Sequence, residues 1–157
     1  MKALASYLND HIAGAVAALE LLADLIETHK GQPLQEFFVD LRRDIEADAN
    51  VLRKLIGTMP AKESVLRKTV AWIAEKFASL KFTATGEEIG GLGLVQALET
   101  LALGIRGKQL LWRALAASGW PALRDVDLAQ LEARAIEQQD RVEAKRLDAV
   151  RQAFRST

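Results

Sequence analysis

Apolar side chains recur along this chain in steps of three and four, in five separate runs. That spacing keeps one face of an α-helix apolar, whereas the alternation that marks a half-buried strand never persists long enough to make one. The first run, 2–29, carries Leu4, Leu8, His11, Ala15, Ala18, Leu22 and Leu25 on one stripe. The second, 33–57, carries Leu34, Phe38, Leu41, Ile45, Asp48, Leu52 and Leu55. The third, 62–81, is shorter and carries Leu66, Val70, Ile73, Phe77 and Leu80. The fourth, 89–118, carries Leu94, Leu98, Leu101, Ile105, Lys108, Trp112 and Leu115, and the fifth, 126–155, carries Leu128, Leu131, Ala135, Gln138, Val142, Ala149 and Ala153.

The breaks between runs are "HKGQP" (29–33), "GTMPAK" (57–62), "TATGEEIGG" (83–91) and "SGWPALRD" (118–125), and three of them hold all three prolines. Pro33 suits a first helical turn, and Asp125 or Asp127 can cap the last helix. Four long helices with sustained three-four stripes pair off as a bundle. The third run, roughly 30 Å long at about 1.5 Å per residue, is able to travel the length of that bundle between the second and third main helices. The expectation is an all-α single domain over 1–157: a four-helix bundle with a helical crossover.

Composition narrows the function. The 157 residues are half hydrophobic, and 21 basic residues balance 21 acidic ones. A balanced chain offers no basic footprint for nucleic acid, and its weak self-repulsion leaves a homodimer open. The absence of cysteine excludes disulfides, thiolate catalysis and cysteine-ligated metal centres. The N-terminus reads as a poor secretory signal, and charge interrupts every apolar stretch well short of a membrane span, so a cytoplasmic protein is expected. No Ser, His and acid arrangement suggests a nucleophile.

Candidate chemistry lies in the polar residues that interrupt the stripes: His11, Asp48, Lys108 and Gln138. In a bundle with this crossover they fall within about one helical turn of each other in height. They form a buried polar layer that sets helix register, line a ligand pocket, or mark a widened, exposed bundle end. Beside the stripes lies a second group, Glu20, Glu99, Glu132 and Glu143 with Arg146, readable as a solvated flank with an ion pair or as a carboxylate cluster. Gly104 and Gly107 each cost a helix about 1 kcal/mol, which suggests close approach of a neighbouring backbone or of a large side chain such as Trp112 or Trp72. The 62–81 run is also basic at Arg67, Lys68, Lys76 and Lys81, so a membrane-surface or partner-binding helix is the alternative to a crossover.

The stretches "YLNDHIAGAVAALELL", "LGIRGKQLLWRAL" and "RAIEQQDRVEAKRLDAVRQAF" resemble the ferritin-like superfamily, and more narrowly a bacterial ferritin-like group with no established activity. The resemblance implies a ferritin-like topology. The superfamily's metal signature is two Glu-x-x-His pairs plus two single glutamates, all projecting into the bundle. By that resemblance Glu20 and Glu99 match the single glutamates. The pairs are missing: Glu46 is followed three residues on by Ala49, Glu132 by Ala135, and Glu143 by Arg146. The two histidines, His11 and His29, both lie in the first run. A di-iron site without imidazoles, and with an arginine where a ligand belongs, repels a dication.

The leading expectation is therefore a non-catalytic bundle without metal or cofactor, acting by protein association or small-ligand binding, with an internal ion pair of Arg146 with Glu99 or Glu143 in place of the metal. The alternatives are a carboxylate-rich di-iron or manganese-type protein or oxidoreductase, and a surface-binding module using 62–81.

Overall fold

A computed structural model describes residues 2–59 and 90–155, and the 62–81 run, with its crossover and surface-binding readings, lies outside the described residues. All regular structure among the described residues is helical: α1 (Lys2–Thr28), α2 (Pro33–Gly57), α3 (Gly90–Ser118), a one-turn 3-10 helix (Pro121–Leu123) and α4 (Leu128–Ala153). Each of the four long helices starts and stops within two residues of the run that predicted it.

Local chemistry sets these ends. Gly31 takes φ 76°, a left-handed conformation open to glycine, and lets the chain reverse between α1 and α2. Its N–H is held by Gln35 Oε1 at 2.8 Å. Pro33 then enters in the first turn of α2, where a missing N–H costs nothing. Thr58 closes α2 by donating its hydroxyl to the Leu55 carbonyl at 2.7 Å. Gly119, at φ 62°, ends α3 in the same left-handed way as Gly31. Of the two aspartates that could cap α4, Asp127 does so, its carboxylate accepting from Gln130 N at 2.9 Å.

The chain divides into two units, one holding α1, α2 and residues 121–124, the other holding α3, α4 and the turn residues around them. Within the first, α1 packs along α2, and within the second, α3 packs along α4. The short connections make each pair an antiparallel helical hairpin.

The stripes of α2 and α4 are buried nearly as predicted. Phe38, Leu41, Ile45, Asp48, Leu52 and Leu55 are all buried, as are Leu131, Ala135, Gln138, Val142 and Ala149. On α3 the predicted Leu98, Leu101, Ile105, Trp112 and Leu115 are joined by Val95, Ala97, Gln109 and Leu111.

One expectation is corrected, and a second finds no partner among the described residues. The early half of α1 turns a different face inward: Ala5, Leu8, Asn9, Ile12 and Ala13 are buried, while His11 and Ala15 are only half-buried. Ile12 offers far more apolar area than Ala15, so burying it rotates His11 to the edge and carries Asn9 inside. The close approach expected at Gly104 and Gly107 is not made by any described residue, and Trp72, one of the side chains expected there, lies outside the described residues. A Cβ on either would meet nothing within 4 Å among the described residues. The tight approach in this hairpin is at Gly91, where a Cβ would lie 2.8 Å from the Ala153 Cβ and 2.9 Å from its Cα.

Candidate functional site

The α3–α4 hairpin brings most of the charged candidates together. Along α3, Glu99, Arg106, Gln109 and Arg113 recur at steps of seven, three and four, a row that runs beside the buried stripe. Glu132, Glu143 and Arg146 make the facing row on α4. Because the helices are antiparallel, the late end of α3 meets the early part of α4 and the reverse.

At one end of this seam, Arg113 Nε donates to Glu132 Oε1, and Gln109 Nε2 reaches the same oxygen at 3.3 Å. Arg106 in turn donates to the side-chain oxygen of the buried Gln109. The Arg113 hydrogen bond holds the Glu132 carboxyl below the usual carboxylate range, outweighing partial desolvation, with Gln109 and the charges of Arg113 and Arg106 adding to it. At the other end Arg146 grips Glu143 with two parallel bonds, Nε to Oε2 and Nη2 to Oε1, both at 2.7 Å. Its remaining nitrogen, Nη1, reaches Glu99 Oε1 across the hairpin at 3.4 Å. That fork lowers the Glu143 pKa and raises that of Arg146.

Of the group Glu20, Glu99, Glu132, Glu143 and Arg146, the structure thus joins Glu99, Glu143 and Arg146, and gives Glu132 a separate guanidinium partner. Glu20 is exposed on α1, in the other unit. Among the described residues no group of three or more His, Asp or Glu side chains is arranged to hold a metal ion. The carboxylate oxygens of the seam face arginine N–H groups, so the seam is organised as ion pairs.

The four stripe-breaking residues divide between the units. In the second, half-buried Lys108 donates from Nζ to the Oε1 of Gln138, which is 1% exposed. This bond keeps an ammonium at the edge of the apolar interface. In the first, Asp48 is 1% exposed on α2. His11 on α1 stands edge-on to the ring of Tyr7, one turn earlier, with centroids 4.7 Å apart. Burial lowers the His11 pKa, and the Asp10 carboxylate offsets this only in part.

Two buried polar residues fall outside the predicted set. Asn9 is 3% exposed, and its Nδ2 donates to the Ala5 carbonyl at 2.6 Å while its Oδ1 meets no hydrogen-bond partner among the described residues. It follows Ala5 and precedes Ala13 by one turn each, so the Ile12-centred face would have revealed it. Gln109 lies four residues after Ile105 and three before Trp112, on the shoulder of the α3 stripe, and that spacing is the signal for it.

No family model, curated protein or solved structure matches the chain. Among the described residues no helix is long and apolar enough to cross a membrane.

Proposed function

We propose that this chain is a ferritin-like bundle whose metal centre has given way to ion pairs, and that it works by binding, chiefly protein association, rather than by catalysis. The observation that supports this reading is Arg146: its guanidinium takes both oxygens of Glu143 and extends to Glu99. A dication needs those lone pairs and is repelled by the fixed positive charge beside them. Arg113 and Gln109 do the same to Glu132. The polar pair inside the second hairpin, Gln138 with Lys108, acts in this reading as a register-setting element of the packing.

Elemental analysis tests this. Protein expressed in medium supplemented with iron, manganese and zinc should carry far less than one equivalent of any of them after dialysis. The Arg146→Ala variant should remain nearly as empty, because one arginine lost does not supply the missing imidazoles. Stoichiometric metal that resists dialysis in the wild-type chain would overturn the proposal in favour of a carboxylate metal site.

A further inference from the structure

Away from its buried stripe, the α3–α4 hairpin exposes two lines of large apolar side chains. On α3, Leu92, Leu103 and Leu110 are exposed, with Leu103 at 76%. On α4, Ile136, Leu147 and Phe154 are exposed at the same intervals of eleven and seven. Such intervals bring each trio within about 20° around its helix. The Glu99–Arg146–Glu143 ion cluster sets the two lines side by side, since Leu103 lies one turn beyond Glu99 and Leu147 one turn beyond Glu143. At roughly 200 Å² for a fully exposed large side chain, the six present on the order of 600 Å² of apolar surface. A monomer's largest patch rarely exceeds about 600 Å², and a stable interface takes about 800 Å² from each partner. The six apolar residues supply the larger part of that.

The pattern along α3 says which partner fits. Leu103 and Leu110 lie symmetrically about a midpoint at residues 106–107. Glu99 and Arg113 lie symmetrically outside them with opposite charges, each side chain about half exposed at 52% and 53%. A second α3 laid antiparallel about that midpoint sets each Leu103 against the partner's Leu110, and each Glu99 against the partner's Arg113. Parallel pairing would instead oppose Glu99 to Glu99. Among the described residues none comes within 4 Å of a Cβ built on Gly107, at the midpoint, so the two helices can cross closely there. Arg106, the cation nearest the midpoint, is turned toward Gln109 of its own chain.

We propose that α3 pairs antiparallel with α3 of a second copy of this chain, forming a two-fold dimer centred on Gly107. This rests on the association half of the proposed function and specifies its partner.

Sedimentation equilibrium of the full chain at micromolar concentration should give a dimer. Leu103→Glu, at a position too exposed to disturb the fold, should shift it to monomer with unchanged helicity. Gly107→Leu should raise the melting temperature of the dilute protein yet also give monomer, since it fills the crossing point. In this cysteine-free chain, Arg106→Cys should form a disulfide-linked dimer on mild oxidation, and Ala23→Cys on exposed α1 should not. A monomeric wild-type chain would overturn the dimer, as would a dimer that survives both Leu103→Glu and Gly107→Leu, or cross-linking at Ala23→Cys in place of Arg106→Cys. A metal-free monomer would sink this inference and leave the ion-pair reading standing. A metal-loaded dimer would do the opposite.

Discussion

Replacing Asn9 by leucine should stabilise the protein. Asn9 is buried on α1 at 3% exposure, with its Oδ1 unpartnered among the described residues. A buried acceptor left unpaired costs about 1–3 kcal/mol, and removing it recovers that amount. The Nδ2 bond to the Ala5 carbonyl is lost, at about 1 kcal/mol, but that carbonyl keeps its place in the helical backbone ladder. Leucine is the better helix former by about half a kcal/mol, and its added apolar area gains about a further 1 kcal/mol, part of which crowding consumes. The net is a gain of about 2 kcal/mol, or roughly 4–8 °C in Tm for a chain of this size. Urea unfolding followed by circular dichroism reads it as a raised midpoint at unchanged slope. Asn9→Ala, which removes the same oxygen but opens a void, should fall near neutral or slightly below. Loss of 1 kcal/mol or more in Asn9→Leu would refute the reasoning, because it would mean that Oδ1 is engaged by a bound group and that Asn9 belongs to a recognition site.

Two further outcomes follow from the same hairpins. Gly104→Ala, whose Cβ would meet none of the described residues within 4 Å, should gain about 1 kcal/mol from helix propensity, a rise of roughly 2–4 °C by differential scanning calorimetry; a lower Tm would show that something packs there. His11→Leu should keep the fold and helicity with a modest change in Tm, and should change the pH profile. His11 resists protonation in the fold, so below its ordinary value of 6.5 the unfolded chain binds more protons and wild-type stability falls as pH falls, an effect absent above that value. Melts recorded across roughly pH 5 to 8 should show this slope reduced in His11→Leu, and an unchanged slope would assign it elsewhere.

The four described helices and their limits were legible because each is bounded by a residue with one strong backbone preference: Gly31 and Pro33 before α2, Gly119 after α3, and Asp127 before α4. The inward faces of α2 and α4 were legible because large apolar residues leave them no competing stripe. On α1 two stripes share Leu8 and Leu22, and the choice turns on Ile12 against Ala15, a difference in area that spacing alone does not weigh. That choice moved His11 to the edge and hid Asn9. The pairing of Arg146 with Glu143 was readable as neighbours one turn apart. Glu99 was the other partner expected for Arg146, but whether Arg146 reaches it, and the Arg113–Glu132 pair, depend on how far α4 slides along α3. That register is set by packing at Gly91 and by the length of the turn, neither of which periodicity reports.

The contact between Gly91 and Ala153 also bears on the order in which the second hairpin assembles. Contacts near the Gly119 turn close a short stretch of chain and form at small entropic cost, whereas Gly91 and Ala153 enclose nearly the whole of both helices. Loop-closure entropy therefore favours zipping from the turn, through Arg113–Glu132, then Lys108–Gln138, then Glu99–Arg146, with Gly91 seated last. In reverse, fraying begins at that end. The tightest backbone approach in the hairpin thus governs how long it stays closed and has little influence on how fast it forms.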